Sequence, residues 1–278
     1  MSQQLCKSII DNTTGGRPFL KWTGGKRWLG SVIELILPKQ YNRYIEPFLG
    51  GGALFFRLRT WPASLSDINA ELIHVYRQVR DNLEDVIARL AQLEIGPKAY
   101  REIRARTPRL PVTRAVRFLY LNRTAFNGIY RVNRQGKFNV PFGCKPGTVL
   151  CDEDLLRRAS RALQNRGLHV CDFEEAIGCA GPGDLIYADP PFTTRHDNNG
   201  FRRYNEVIFS WEDQVRLAKC CRRAVKRGAH VIVSNANHEP LAELYQDFCV
   251  KYVTRRSLIS ASADGRGPVK ECLLYRVH

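Results

Sequence analysis

The chain has 278 residues, of which 25% are charged, and a net charge of +16 at pH 7. This length is enough for one sizeable α/β domain and a smaller insertion. No apolar run reaches the length of a membrane span and the polar amino terminus lacks the core of a signal peptide, so we expect a cytoplasmic protein without membrane contact. The nine cysteines are scattered without a C-x-x-C pair, which argues against a disulfide framework and a zinc site. We expect most of them to be small buried residues, and we expect no bound metal.

Residues 1–16 are polar and end in a Thr-Thr-Gly-Gly run, which predicts a flexible amino-terminal tail. The next segment, Phe19–Lys26, contains a glycine turn that carries Trp22. A phosphate-binding P-loop would need Gly at position 20 and Ser or Thr at position 27, where the chain has Leu20 and Arg27. The segment is therefore not a P-loop, and a turn that faces another ligand stays open.

Residues 44–52 read as a short strand that ends in a glycine turn, and residues 53–58 resume a helical pattern. A dinucleotide fingerprint would need a third glycine at position 55, where the chain has Phe55, so a nicotinamide site is disfavoured. Residues 64–67 are a candidate second strand with Asp67 at its carboxyl end, where an α/β sheet usually holds a ribose.

The segment 98–150 concentrates positive charge, with twelve Lys or Arg residues against a single acid, Glu102. A solvated helix normally mixes signs, so this bias predicts a surface that meets phosphates. Within the segment, residues 114–122 read as a helix. Residues 130–139 read as a hairpin that turns at Gln135-Gly136, and a hairpin that carries Arg and Asn can enter a major groove.

Two further sets of elements surround this basic segment. Asn69 is expected to cap a helix that leads out of the first β-α-β unit. After residue 150 the pattern predicts helix 154–164, strand 168–172, strand 184–188, helix 212–226, strand 229–234 and a final hairpin of 252–258 with 271–277.

The predicted strand ending at Ala188 runs into Asp189-Pro190-Pro191-Phe192. The prolines stiffen this turn and leave its carbonyls able to accept hydrogen bonds, and Asp189 adds a charged acceptor. Two acceptors on the N–H groups of an aromatic amine would localise its lone pair, while Phe192 offers a ring on which a base can stack. The motif indicates a pocket for a flat base with an exocyclic amine. An ordinary loop, with Asp189 capping the next helix, explains these four residues alone about equally well.

The segment Phe19–Lys26, the glycine loop and the Asp-Pro-Pro-Phe turn, in this order, resemble the Dam-like branch of the N6-adenine DNA methyltransferases. That family more often has Tyr where this chain has Phe192, and both rings stack. The resemblance covers most of the chain from Arg17 to Val277, because it continues through residues 118–123, 126–128, 139–143, 233–235 and 255–257.

The resemblance implies an α/β, S-adenosylmethionine-dependent methyltransferase fold of Rossmann-like type with a mostly parallel, seven-stranded sheet. Residues 17–69 and 151–278 would form the catalytic domain. Residues 70–150 would form an inserted, mainly helical target-recognition domain that includes the β-hairpin.

The resemblance also implies S-adenosylmethionine as the cofactor that donates the methyl group. Asp67 would accept hydrogen bonds from its ribose hydroxyls, and Phe173 would flank its adenine ring. Asp189 and the carbonyl of Pro190 would hold N6 of a target adenine that is flipped out of the duplex. The implied catalytic turn is Asp189, Pro190, Pro191 and Phe192. The implied donor-binding residues are Trp22, Gly24, Lys26, Phe48, Gly50, Gly52, Asp67, Phe173 and Asp189.

Double-stranded DNA is the implied partner. Phe126 would wedge into the space left by the flipped base, Lys21 would read a guanine, and Arg131 has the geometry for a bidentate guanine contact. The resemblance implies a GATC-like site. Enterobacterial members of the family have Arg-Tyr where this chain has Cys144-Lys145, and this difference leaves the exact recognition sequence open. The implied DNA-contacting residues are Lys21, Arg123, Phe126, Asn127, Ile129, Arg131, Asn133, Asn139, Pro141 and Lys145.

The implied activity is site-specific methylation of adenine N6, by a monomer in the cytoplasm at the nucleoid. A cytosine-N4 methyltransferase would usually have Ser at position 189, and an RNA or protein amide methyltransferase would usually have Asn there. A catalytically silent DNA-binding protein is an alternative of another class, against which the intact Asp189 turn and glycine loop argue. A solitary enzyme, a phage-borne enzyme and one paired with a cognate restriction endonuclease all stay open.

Overall fold

The structure is a computed structural model that describes residues 16–133, 135–191, 209–256 and 268–278. The predicted amino-terminal tail, apart from Gly16, lies outside these ranges, as does Phe192. No helix within the described ranges is both long enough and apolar enough to cross a membrane. The same ranges contain no group of three or more His, Cys, Asp or Glu residues arranged to hold a metal ion.

The described residues form one seven-stranded mixed sheet with the strand order β3-β2-β1-β4-β5-β7-β6. The first five strands in chain order pair in parallel, and β7 pairs antiparallel with both β5 and β6. The predicted antiparallel final hairpin is therefore confirmed. The strands are β1 (Tyr44–Glu46), β2 (Ala63–Asp67), β3 (Gly167–Val170), β4 (Leu185–Ala188), β5 (His230–Ala236), β6 (Cys249–Arg256) and β7 (Pro268–Arg276).

Ten α-helices surround the sheet in the described ranges, together with two short 3-10 helices at Arg27–Leu29 and Phe126–Gly128. The α-helices are α1 (Gly30–Glu34), α2 (Ala53–Leu58), α3 (Ala70–Asp81), α4 (Leu83–Ala91), α5 (Pro97–Ala105), α6 (Pro111–Thr124), α7 (Glu153–Leu163), α8 (Phe173–Gly178), α9 (Trp211–Lys226) and α10 (Glu239–Glu243).

The ends of several helices follow from local side-chain chemistry. The side chain of Asn69 accepts a hydrogen bond from the Leu72 amide, as predicted, and α3 begins there. The Asp172 side chain accepts a hydrogen bond from the Glu174 amide, and α8 begins there. The preceding strand β3 therefore ends at Val170, two residues earlier than the sequence predicted. An acceptor side chain placed before a helix favours the helix over continuation of a strand.

Successive residues of the central strands point to opposite faces of the sheet, and both faces are covered. Tyr44 and Leu185 belong to a first core, which extends over α2 and α3 to α7. Ile45 and Ile186 belong to a second core, built with α8, α9 and α10. Burial on both faces explains why these strands read as continuous apolar runs in the sequence.

The basic segment does not form a separate core. Tyr100 and Val116, on α5 and α6, are buried in the first core together with residues of the sheet. The helices that carry the positive charge are therefore packed onto the same core that supports one face of the sheet. The predicted domain boundaries at residues 70 and 150 stay predictions.

The predicted hairpin around Gln135-Gly136 is a tight turn with a single bridge between Val132 and Phe138. Gly136 has a φ of +70°, a left-handed conformation that glycine adopts without strain. The backbone amide of Asn139 donates to the carbonyl of Arg131 and so closes the base of the turn. The hydrogen-bonded hairpin spans residues 131–139, one residue fewer than the ten that the sequence suggested.

The expectation that most cysteines are buried is wrong for the described residues. Cys220, Cys221 and Cys272 are buried, whereas Cys179 and Cys249 are exposed. The other three described cysteines have intermediate exposure. Cysteine tolerates partly exposed positions because its small side chain costs little when it is not covered.

Candidate functional site

The carboxyl ends of β2, β1, β4 and β5 meet at one edge of the sheet, because these strands are parallel neighbours. The direction of the strand order reverses between β1 and β4. Such a switch point opens a crevice outside the strand ends, where α/β proteins bind ligands. The sheet therefore brings the glycine loop, Asp67 and the Asp189 turn to one edge.

The glycine loop after β1 has a conformation that its neighbours enforce. Gly50 and Gly52 have φ values of +47° and +66°. A Cβ atom on Gly50 would lie 2.7 Å from Cδ1 of Trp22, so the indole ring leaves no room for a side chain there. The hydroxyl of Tyr76 donates to the carbonyl of Gly50 at 3.0 Å. The loop is thus held from two sides, and the absence of side chains lets the indole ring and the Tyr76 hydroxyl reach its buried backbone.

Asp67 joins the end of β2 to this loop. Its Oδ2 accepts from the Gly50 amide at 3.0 Å, and its Oδ1 accepts from the Asn69 amide at 2.9 Å. Burial raises the pKa of the Asp67 carboxyl above its ordinary value, and the backbone amides oppose that shift. The carboxylate therefore fixes the loop, a role that the sequence did not suggest.

Aromatic rings line the next part of the edge. The predicted donor-site residues Phe48 and Phe173 stack with ring centroids 5.4 Å apart. Phe209 contacts both rings, and the guanidinium of Arg216 lies 4.4 Å above the ring of Phe173. Arg216 is held by Asp172 at 2.7 Å. Sequence reasoning missed Phe209 and Arg216, because neither residue lies in a motif and both reach the site through the tertiary fold.

The Asp189 turn follows a strand whose four residues are all buried. One-fifth of the Asp189 side chain is exposed, Pro190 is buried and Pro191 is exposed. Burial raises the pKa of Asp189 to about 6, and the nearby Lys26 ammonium opposes this increase. The carboxylate is therefore the main form at neutral pH, and a hydrogen-bond acceptor is available there.

Lys26 lies between two acidic side chains. Its Nζ is 3.5 Å from Oδ1 of Asp189 and 3.1 Å from Oε2 of Glu271, which lies on β7. Only 4% of the Lys26 side chain and 1% of the Glu271 side chain are exposed. Sequence reasoning placed Lys26 in the donor site but missed Glu271. The available signal was an acid two residues before Leu273, at a position of β7 where strand alternation predicts an apolar side chain.

A further buried acid, Glu46, ends β1. Its Oε2 accepts from the hydroxyl of Tyr44 at 2.9 Å. Burial raises the pKa of Glu46 to about 8, so most of this carboxyl is protonated at pH 7. The ends of the neighbouring strands β1 and β4 therefore carry two acids in different charge states at pH 7: Glu46 is largely neutral and Asp189 is mainly ionised.

Asn122 connects the first motif to the basic segment. It accepts from the Lys21 amide at 2.9 Å, and its own amide group donates to the Lys21 carbonyl at 2.7 Å and to the Gly128 carbonyl at 3.3 Å. Trp22, the next residue, stacks on Tyr130 with centroids 5.9 Å apart. The segment Phe19–Lys26 and the turn around residue 128 are therefore held in a fixed relation. Asn122 lies in residues 118–123, which the resemblance covers, but it was not predicted as a site residue.

Several predicted DNA-contacting residues lie together on this turn. Half of the Phe126 side chain is exposed, and the exposed Asn127 has a φ of +54°. Arg131 donates from Nε to Oδ1 of Asn139 at 2.8 Å, so the two residues predicted to contact DNA orient one another. An exposed aromatic ring and an oriented guanidinium are both suited to contact with a nucleic acid.

The remaining predicted contacts are more varied. The guanidinium of Arg123 donates to the Phe19 carbonyl at 3.2 Å, and burial lowers its pKa. Oδ1 of Asn133 accepts from the backbone amides of Gln135 and Lys137 and so serves the turn. DNA contact by these two residues stays a prediction. Burial and the charge of Arg123 lower the pKa of Lys21. Ile129 is partly buried, whereas Pro141 and Lys145 are exposed. Gly24, which was predicted for the donor site, has a φ of +83°.

Comparison with known proteins identifies the family. Residues 22–259 match the model of the D12 class N6 adenine-specific DNA methyltransferases. The type II methyltransferase M1.LlaDCHI of Lactococcus lactis subsp. cremoris is 39% identical over 268 residues, which cover 93% of this chain and 94% of that protein. The DNA adenine methylases of Haemophilus influenzae and Escherichia coli are 33% and 32% identical, and each alignment covers at least 92% of both chains. The chain therefore belongs to the N6 adenine-specific DNA methyltransferases of the D12 class.

Proposed function

We propose that S-adenosylmethionine donates the methyl group and that Asp189, with the carbonyl of Pro190, holds N6 of an adenine flipped out of double-stranded DNA. The observation that carries this proposal is the Asp189 carboxylate, which lies beside the Lys26 ammonium at the sheet edge shared with the glycine loop. Membership of an adenine-specific family favours this activity over cytosine-N4 methylation, amide methylation and catalytic silence.

The residues at this edge fit such a donor. Gly50 and Gly52 place no side chain on the loop, and the Asp67 carboxylate lies beside it. Phe48 and Phe173 offer stacked rings for an adenine. When bound, the donor supplies a methyl group that is activated on a positively charged sulfur.

Asp189 acts by position and by charge. An adenine amine is a weak nucleophile because its lone pair is delocalised into the ring. Acceptance of its N–H groups by the carboxylate and by the Pro190 carbonyl concentrates that lone pair on nitrogen and aims it at the methyl group. Lys26 favours the ionised form of Asp189, so the turn remains an acceptor despite its burial.

Recognition of DNA is assigned to the basic segment and the turn at residues 126–139. Exposed arginines such as Arg101 would meet phosphates, and Phe126 would fill the space left by the flipped adenine. The recognition sequence is proposed to be GATC-like, and the protein is expected to act on DNA as a monomer at the nucleoid. The relatives include DNA adenine methylases and type II methyltransferases, so a solitary enzyme and one paired with a restriction endonuclease both fit.

Replacement of Asp189 tests the proposed catalytic turn. The Asp189→Ala variant should lose about 10²-fold or more of its methyl-transfer rate, because an acceptor for the amine is lost. Its DNA affinity should change little, since phosphates are contacted elsewhere. The assay uses labelled donor and duplex DNA, followed by digestion and identification of the methylated nucleoside. Asp154→Ala, which removes an exposed carboxylate on α7, is the matched control. Substantial turnover by Asp189→Ala would remove the residue from the mechanism.

The pH dependence tests the charge on Asp189. Its pKa of about 6 lies above the ordinary value, so the carboxylate is lost as the pH falls through 6. The single-turnover rate should therefore decline towards a tenfold loss per pH unit below about 6, while DNA binding measured in the same buffers persists. A rate that stays constant between pH 7.5 and pH 5 would show that the carboxylate is not needed.

Replacement of Asp67 tests the location of the donor. Asp67→Ala removes a charged acceptor and frees the Gly50 amide, so affinity for S-adenosylhomocysteine should fall roughly tenfold or more. DNA affinity should be almost unchanged. Calorimetry on the free protein measures the first quantity and fluorescence anisotropy the second, again with Asp154→Ala as the control. Unchanged affinity for S-adenosylhomocysteine would place the donor elsewhere.

Replacement of Arg131 separates sequence reading from phosphate binding. Arg131→Ala should relax discrimination at one base pair, because a bidentate guanine contact is worth about 1–3 kcal/mol. Arg101→Ala, on α5, should instead weaken binding to all sequences and reduce its salt dependence. The measurement compares methylation of the cognate site with methylation of each singly substituted site. A uniform loss in Arg131→Ala would reassign Arg131 to the DNA backbone.

A further inference from the structure

The last turn of α6 buries an asparagine that joins two distant segments. Oδ1 of Asn122 accepts from the Lys21 amide at 2.9 Å, and Nδ2 donates to the carbonyls of Lys21 at 2.7 Å and Gly128 at 3.3 Å. We name these three residues the Asn122 clamp. Asn122 is 1% exposed and asparagine is a weak helix former, so neither solvent contact nor the stability of α6 explains its presence. Its amide group connects Lys21 to the turn around residue 128.

On the donor side, the Asn122 clamp sets the position of the indole ring that lies over the glycine loop. Trp22 follows Lys21 directly, and its Cδ1 lies 2.7 Å from the place where Gly50 would carry a Cβ atom. The Asp67 carboxylate and the Tyr76 hydroxyl bind the same loop, through the amide and the carbonyl of Gly50. The loop therefore has supports of its own, and the Asn122 clamp ties it to α6 through Lys21 and Trp22.

On the DNA side, the Asn122 clamp fixes the side chain of Lys21 against the turn. Gly128 has a φ of +66°, and a Cβ atom there would lie 2.5 Å from Cδ of Lys21, so the lysine stem packs directly on the turn backbone. The turn is also held by a hydrogen bond from the Phe126 amide to the Pro141 carbonyl at 2.9 Å. Its shape therefore does not depend on the Asn122 clamp alone.

Two sites with supports of their own are thus joined by one buried amide, together with the stack of Trp22 on Tyr130. The packed rings set how closely the two segments approach, and the three hydrogen bonds set their direction. Without the clamp each site could still bind its ligand, but the relative position of the two ligands would vary. Methyl transfer is sensitive to that position, since a misplacement of about 1 Å can cost about 10²-fold in rate.

We propose that Asn122 is a positioning residue that couples reading of the DNA site to methyl transfer. The inference rests on the proposed function, because it needs the donor at the glycine loop and the bases at the turn of residues 126–139. A duplex that fits Lys21 and this turn is held where its flipped adenine meets the donor. A duplex with a wrong base is displaced at the turn, and the Asn122 clamp converts that displacement into a slower transfer. Part of the sequence specificity is thus expressed in the rate rather than in DNA affinity.

The experiment separates binding from transfer in the full chain. Single-turnover rates are measured at saturating donor and saturating duplex, for the cognate site and for each singly substituted site. Asn122→Ala should lower the cognate rate roughly tenfold or more, because all three hydrogen bonds of the side chain are lost. Rates at the substituted sites should fall less, so that discrimination in rate narrows. The affinities for S-adenosylhomocysteine and for duplex DNA should each change by less than about threefold, since each site has supports of its own.

Thr124→Val is the matched control. Thr124 lies on the same helix, is fully buried and donates its hydroxyl to the carbonyl of Tyr120 within α6. This variant should keep the wild-type rate and discrimination. An unchanged cognate rate in Asn122→Ala would overturn the inference. So would an equal fall at every site, or a fall that weaker binding of donor or DNA explains in full, because a merely structural role predicts those results.

Thermal melting checks that the variants fold. If Asn122→Ala does not fold, Gly128→Ala decides alone, since its added Cβ would press on Lys21 while Asn122 stays in place. Its cognate rate should fall with the same narrowing of discrimination, and wild-type rates at all sites would overturn the inference. Failure of the proposed function itself is distinguishable, because Asp67→Ala would then leave the affinity for S-adenosylhomocysteine unchanged, or Asp189→Ala would keep its turnover.

Discussion

The buried ammonium of Lys26 is the constraint on which the rest of the site depends. A lysine with 4% of its side chain exposed needs anionic partners, and here the partners come from the turn after β4 and from β7. Those two elements are separated by β5 and meet only in a sheet with this strand order. The two contacts of Lys26 therefore connect the amino-terminal segment with the centre of the sheet and with its antiparallel edge. The contact with Lys26 helps to hold the Asp189 turn in its position.

The same amino-terminal segment also ties the sheet edge to the basic segment. Asn122 bonds to both backbone groups of Lys21, and Trp22 stacks on Tyr130, which in turn stacks on Phe118 of α6. These contacts are rigid, since they consist of an amide pair and packed rings. A DNA duplex held by the basic segment would accordingly meet the Asp189 turn at a distance set by the fold. Positioning of this kind is a large part of what an enzyme contributes to a transfer between two bound molecules.

The parts of the fold that the sequence predicted are those governed by local chemistry. The buried run before Asp189 is a strand, and Asn69 caps α3, because a strand pattern and a cap each depend on a few adjacent residues. The end of β3 was misplaced because Asp172 acts as a cap rather than as a strand residue.

Contacts between distant segments were not predictable in this way. Glu271 and Arg216 reach the site only once the strands and helices have packed together, and no neighbouring residue in the sequence indicates which side chains they contact. The role of Asn133 was ambiguous in the sequence, because an asparagine beside an arginine suits both a turn and a base contact. In the structure its Oδ1 accepts two backbone amides of the turn. The partial exposure of most described cysteines likewise depends on where the helices pack.

The two buried glutamates near the site show how environment, rather than residue type, sets the charge of the reaction centre. Glu46 faces the hydroxyl of Tyr44, a neutral donor that does not repay the cost of burying a charge, and its pKa rises to about 8. Glu271 instead lies 3.1 Å from the Lys26 ammonium. Asp189 lies between these two influences: burial is the main cause that raises the pKa of its carboxyl to about 6, the Lys26 ammonium lowers that pKa, and the proximity of Glu271 raises it.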